Sequence, residues 1–165
     1  IRYVVNSHGH FDHSGGLRAA VGEGATIVTQ AQNKAYFERA FATPNTIAPD
    51  HLAKSGKKAR IMTVDEKTVL RDGARTVELH HVADSNHSDA FLVAYLPKER
   101  LLIEADSFTP GPPNTPPPAQ LNPNNTNLVD NLARLKLSVD RILPLHGRVV
   151  PSSELYAAVG GKPPN

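Results

Sequence analysis

The chain has no cysteine and no tryptophan among its 165 residues, a single methionine, and aromatic side chains amount to only 5%. The first absence rules out disulfides and every metal site built on thiolates, while leaving the cellular compartment open. The scarcity of aromatics argues against a stacking platform for single-stranded nucleic acid. An excess of one charge is missing too: 18 basic residues against 16 acidic give a net +2. The basic groups are scattered apart from Lys54, Lys57 and Lys58, which read as a solvated loop rather than a phosphate track. No apolar run approaches the length that a membrane-spanning helix needs. What is present is 39% hydrophobic content, enough for a buried core in a chain of this length, and eight histidines.

Three of those histidines stand in one run, Asn6-Ser7-His8-Gly9-His10-Phe11-Asp12-His13-Ser14-Gly15-Gly16, directly after an apolar stretch, Ile1 to Val5, that reads as a buried strand. Zinc, iron and manganese all take imidazole nitrogen together with carboxylate oxygen. Four such donors packed so closely exceed what one tetrahedral ion that also holds substrate would use, which points to two metals. If the chain stays extended through Ser7 to Phe11, His8 and His10 project to one side and can chelate one ion. Asp12 and His13 follow a turn and are placed to serve a second ion a few ångströms away. Gly9, Gly15 and Gly16 let the backbone bend.

The pattern His-x-His-x-Asp-His resembles the signature of the metallo-β-lactamase superfamily, a motif hit that needs structural context to become a site. The resemblance implies three further ligands at strand ends, and the chain offers His87, Asp106 and His146 in that order. By analogy His8, His10 and His87 hold one metal, Asp12, His13 and His146 the other, and Asp106 bridges them. There are three departures from the family pattern: Asn86-His87-Ser88 stands where Gly-His-Thr is usual, Ala105 precedes Asp106, and Leu145 precedes His146. Asp84 and Asp89 flank His87 and could supplement or displace an expected ligand. His80 and His81 lie within a strand pattern where neighbours face opposite sides, so at most one faces the site and both read as structural. His51 reads as solvated in a polar loop.

The resemblance further implies an α/β (α+β) fold, the four-layer αβ/βα sandwich, with a metal motif that follows a set of strands and a helix. Here the motif begins at residue 8. The expectation is therefore a single domain over residues 1–165 whose opening N-terminal strands are missing. The activity implied is that of a dinuclear hydrolase, in which a hydroxide activated by two divalent ions attacks a carbonyl. Zinc leads among those ions, with iron and manganese as alternatives. Asp12 and Asp106 would be the catalytic carboxylates, orienting the nucleophile and shuttling its proton. Amide (including β-lactam), lactone or ester substrates come first, because Ala105-Asp106-Ser107 is reminiscent of the β-lactamase subclass that lacks a cysteine ligand. Thioesters come second and phosphodiesters third. The alternatives are a metal-binding but inactive fragment and an iron-dependent oxygenase or redox member of the superfamily. The expected partner is a small-molecule substrate rather than nucleic acid or a membrane, with self-association through an open sheet edge as a further option.

Elsewhere the pattern alternates. Gly16 to Val21 reads as a helix, Ala25 to Thr29 as a strand, and Gln30 to Ala42 as a helix with Ala31, Ala35, Phe37 and Phe41 apolar. From Arg60 onward, Arg60 to Val64, Thr68 to Leu70, Thr76 to Val82, Ala90 to Leu96 and Arg100 to Ala105 read as strands of one antiparallel meander, turned at Asp72-Gly73 and Pro97-Lys98. Phe108 to Pro123, rich in proline, is expected to be an ordered loop or a flap near the metals that shapes the substrate pocket. Thr126 to Leu137 reads as an amphipathic helix capped by Asn125 or Thr126, with Leu128, Leu132 and Leu135 on one face. Arg141 to Leu145 reads as the strand that delivers His146, and Ser152 or Ser153 opens a short closing helix.

Overall fold

The computed structural model describes residues 1–113, 116 and 119–163. The chain divides into two compact units, Ile1–Glu66 and Lys67–Asn165.

In the first unit, β1 (Tyr3–Val5), β2 (Thr26–Gln30) and β3 (Arg60–Val64) form a parallel sheet in that order. Parallel neighbours need a crossover, and α2 (Leu17–Glu23) supplies it between β1 and β2. A short 3-10 turn (Ala31–Asn33), α3 (Lys34–Ala42) and α4 (His51–Ser55) lie between β2 and β3. Leu17, Val21, Ile27, Phe37 and Leu52 make the core, with Phe41 stacked on Phe37 at 5.6 Å. β3 is thus not part of the meander that the strand pattern suggested: it pairs with β2 in parallel, from Thr26 opposite Arg60 to Gln30 opposite Val64. Periodicity marks a strand but says nothing of its neighbour. Ala35 is exposed, because the 3-10 turn shifts the face that α3 presents.

Helix α4 was read as polar loop, and His51 inside it is not merely solvated: its Nε2 lies 2.7 Å from Glu23 Oε1. Gly22 is buried, and a Cβ there would run into the His51 ring, so the missing side chain is what lets α2 and α4 approach. Arg18 fastens the same region. Its guanidinium holds Asp50 through two bonds of 2.5 and 3.1 Å and donates to the carbonyls of Ala40 and Thr43. Asp50 also caps α4 by accepting the Ala53 amide. The Arg18 guanidinium and that amide hold the Asp50 carboxyl at about 2.

In the second unit, among the described residues, the strand order is β4 (Lys67–Asp72), β5 (Arg75–His81), β6 (Leu92–Leu96), β7 (Leu101–Glu104), β8 (Arg141–Pro144) and β9 (Val150–Pro151). β4 to β7 are the expected antiparallel meander, and β8 then pairs with β7 in parallel. The crossover is α5 (Pro123–Arg134), whose Leu128 and Leu132 join Phe91, Val93, Leu102, Ile142 and Leu155 in the core. α5 starts three residues before the expected Thr126, since Asn122 caps it by accepting the Asn124 amide and Pro123 presets the first turn. It also stops earlier than Leu137, and Lys136 has a positive φ of 54°. α6 (Ser152–Ala158) closes the unit.

The register of this sheet matters more than its size. Glu104 is opposite Pro144 in the parallel β7–β8 pair, and His81 is opposite Leu92 in the antiparallel β5–β6 pair. The ends of β5, β7 and β8 therefore lie along one edge of the sheet, and ligand sites of open α/β sheets form outside the carboxyl ends of strands. Among the described residues no helix is long and apolar enough to cross a membrane.

Candidate metal centre

In the first unit the histidine loop begins one residue past β1. Asn6, buried at 1% exposure, donates from Nδ2 to the carbonyls of His8 (2.7 Å) and His13 (3.2 Å), while its Oδ1 accepts the Thr29 hydroxyl at 3.1 Å. A single side chain thus folds the loop upon itself. A one-turn helix, α1 (Phe11–Ser14), follows and carries Asp12 and His13. The structure brings the four donors together in two pairs. His8 Nε2 lies 3.0 Å from His10 Nδ1, and His13 Nε2 lies 3.2 Å from Asp12 Oδ2. The His8 and His13 rings are 4.5 Å apart between centroids.

In the second unit His87, Asp106 and His146 converge. Asp106 Oδ2 lies 2.9 Å from His87 Nε2 and Oδ1 lies 3.1 Å from His146 Nε2, so each carboxylate oxygen faces a different imidazole. Asp106 and His146 each stand two residues beyond the paired ends of β7 and β8, which is how the parallel register delivers both. His87 sits in the loop between β5 and β6. Ser85 Oγ accepts the His87 and Ser88 amides, and the buried Phe91 ring packs edge-on against the His87 ring at 6.0 Å. Asn131 and Asn127 of α5 hold the start of that loop, bonding the backbone of Ala83 and Asp84. Asn86 is not among the residues with positive φ, so the position takes Asn in place of Gly without backbone strain.

The donor set suits a divalent ion. Ligands about 2.0–2.1 Å from a tetrahedral zinc stand roughly 3.3 Å from each other. The donor separations within each unit, 2.9 to 3.2 Å, are close to that edge length. The histidine and aspartate donors fit a divalent metal site, and among the described residues neither Asp84 nor Asp89 joins such a group. Asp84 has a positive φ of 54° and its backbone carbonyl accepts the Asn127 side-chain amide, and the Asp89 backbone carbonyl lies 2.8 Å from His81 Nε2. His80 is buried and lies 2.9 Å from Glu78, consistent with its structural reading, and burial lowers its pKa.

Two features had no signal in the residue pattern. Glu104 is 2% exposed, and its Oε2 accepts the amides of Ser107 and Phe108. Burial pushes its carboxyl up to about 8, against the pull of those two amides. Arg148 forms a two-pronged pair with Glu154 at 3.0 and 2.6 Å and donates to the Gly111 carbonyl, tying the segment after Asp106 to the His146 loop. Gly147 completes that tie: its φ is 136°, and a Cβ would come within 3.0 Å of Pro110 Cδ. The first part of the proline-rich segment is thus a fixed loop, whereas Pro117 and Pro118 lie outside the described residues.

Residues 1–146 match the family described as the metallo-beta-lactamase superfamily. Among solved structures the chain is similar to the rubredoxin oxygen:oxidoreductase of Desulfovibrio gigas, at 20% identity and TM-score 0.68 over 97% of this chain and 42% of that one. A metallo-beta-lactamase from Pontibacter korlensis follows at 18% identity and TM-score 0.65, over 97% of this chain and 68% of that one. The flavodiiron protein of Giardia intestinalis gives 19% identity and TM-score 0.64, over 97% of this chain and 41% of that one. The chain therefore spans between 41% and 68% of the length of these structures. No curated protein matches the sequence.

Proposed function

We propose that this chain, which belongs to the metallo-β-lactamase superfamily, carries the metal centre of a dinuclear hydrolase acting on a small acyl substrate. The observation that carries the reading is Asp106, whose two oxygens each face a different histidine, the arrangement a bridging carboxylate needs. In the first unit His8 with His10, and Asp12 with His13, bring further imidazole and carboxylate donors within 3.0 to 3.2 Å of each other.

Two bound divalent ions supply Lewis acidity, polarising a carbonyl oxygen and lowering the pKa of a water to about 7. The chain's own part is to hold that chemistry in place. Asp106 would be a ligand of the ions, and a carboxylate oxygen of Asp12 would accept the proton of the attacking water and return it to the leaving group. No side-chain nucleophile is required, in keeping with the absence of cysteine. Amides, lactones and esters lead as substrates, thioesters follow, and the near-balanced charge leaves phosphodiesters of nucleic acid last.

The test is metal analysis together with turnover of a panel of β-lactam, lactone, ester and thioester substrates. The expected result is two zinc ions per chain, hydrolysis of at least one acyl class, and loss of both in Asp106→Ala. A chain that takes up no metal overturns the reading. A second reading, an iron-dependent redox centre, is favoured by the likeness to the oxygen:oxidoreductase and the flavodiiron protein. Iron uptake with oxygen consumption and no hydrolysis would select it.

A further inference from the structure

We infer that Glu104 is a positioning residue for the metal centre, holding both the Asp106 turn and the His146 loop, an assignment that rests on the metal-site reading above. Glu104 ends β7, and its two ends do different jobs. Its side chain turns forward to accept the Ser107 amide at 2.9 Å and the Phe108 amide at 3.2 Å, closing the turn on whose apex Asp106 sits. Its backbone carbonyl accepts the Leu145 amide at 2.9 Å, the residue directly before His146. The flanking anchors are rigid: Ala105 is fully buried and Phe108 is 4% exposed in the core. Asp106 therefore stands between two buried backbone anchors.

A carboxyl at this depth demands a reason, because an apolar side chain of the same volume would be far cheaper to bury. The core does not supply one, since among the described residues Glu104 Oε1 has no hydrogen-bond partner. The two amides do. Without an acceptor they would be unsatisfied donors beneath the turn, each costing more than an ordinary bond contributes. Outer partners of this kind set ligand orientation, and their loss commonly weakens metal binding by about 10–100-fold. Oε2 accepts in either protonation state of the carboxyl, so the role does not depend on charge.

The experiment compares Glu104→Gln, which keeps an acceptor oxygen, with Glu104→Met, which removes it at similar volume. Zinc affinity is measured by competition with a chelator, and hydrogen exchange of the Ser107 and Phe108 amides is followed in the metal-free protein. Glu104→Gln should bind zinc within about threefold of wild type and keep both amides protected. Glu104→Met should lose about tenfold or more in affinity and expose both amides. Should Glu104→Met not fold, Glu104→Asp, which withdraws the oxygens by one methylene, is expected to show the same two losses. Wild-type affinity in Glu104→Met, or in Glu104→Asp where Glu104→Met does not fold, or equal loss in Glu104→Gln and Glu104→Met, overturns the inference. Failure of the wild-type chain to bind zinc, with the two amides still protected by Glu104, would count against the metal-site reading instead.

Discussion

Replacing Asn6 by alanine is the sharpest perturbation of the histidine loop that leaves every donor in place. The Asn6 side chain makes three hydrogen bonds: to the carbonyls of His8 and His13 and from the Thr29 hydroxyl. Two of them are buried and one is half-buried. A bond of this kind contributes a net ~1 kcal/mol, and the partners stranded by truncation add to the cost, so the sum comes to about 3 kcal/mol. With a urea slope of roughly 2 kcal/mol per molar, the unfolding midpoint of the metal-free protein should fall by about 1.5 M. The same change unties His8 from His13, so zinc affinity should drop by about tenfold or more. Asn6→Asp is the informative companion. It keeps the acceptor for Thr29 but turns an oxygen toward two carbonyls, and should be at least as damaging. Urea unfolding followed by circular dichroism, with chelator competition for zinc, reads both effects. A midpoint shift worth less than about 1 kcal/mol in Asn6→Ala would show that the loop is held by something other than this amide.

Three further changes concern the second unit, with Gly16→Ala of the first unit as a control. Gly147→Ala places a Cβ against Pro110 at a φ of 136°, a conformation that costs a side chain about 1–3 kcal/mol. Its thermal midpoint and zinc affinity should both fall, whereas Gly16→Ala, with nothing within 4 Å, should leave the midpoint unchanged or slightly raised. Arg148→Lys replaces a two-pronged partner of Glu154 by a point charge, and because the pair is half-exposed the thermal midpoint should move by only a few degrees. Hydrogen exchange at Gly147 should quicken all the same, and an unchanged rate would show that Arg148 does not hold the loop. His80 is faced by Glu78 on its own strand, by Lys67 of β4 and by Arg134 of α5, and burial lowers its pKa below the ordinary value. A histidine with a depressed folded pKa contributes stability that is present above about pH 6.5 and is lost as the pH falls through its folded value. The wild-type urea midpoint should therefore decline between pH 7 and pH 5, and the decline should be shallower in His80→Gln. An equal decline in both proteins would place the titration elsewhere.

What could be read from the sequence was the part where chemistry dictates residue type. Metal ligands must be imidazole or carboxylate when no thiol exists, so His8, His10, Asp12 and His13 could be proposed from their spacing after a strand, whereas His87, Asp106 and His146 followed only from the family resemblance which that run carries. The strands showed for a similar reason, since burial of one or both faces writes itself into the pattern of Thr76 to Val82 or Ala90 to Leu96. Pairing did not show. β3 has the periodicity of the meander strands yet lies parallel to β2, because the choice of neighbour is made by crossover helices and long-range packing rather than by the strand's own residues. α4 was hidden by its length of five residues and by a polar composition that is stabilised from outside, through Arg18 and the bare surface of Gly22.

The supports of the site were hidden for a deeper reason. Asn6, Glu104, Asn131 and Ser85 act on backbone amides and carbonyls, and every residue type except proline offers those groups. Nothing in the sequence of Ser107, Phe108 or Ala83 marks them as partners. Such a support is visible only as a polar side chain at a position where burial favours an apolar one, as Glu104 is between Ile103 and Ala105. The anomaly is readable once the strand's buried face is known: Leu102 and Glu104 share it at 0% and 2% exposure, while Leu101 and Ile103 on the other face are half-buried. A polar residue that persists at such a point has a task that packing cannot perform. In this chain the task is the same in both units, holding a loop that carries candidate metal donors.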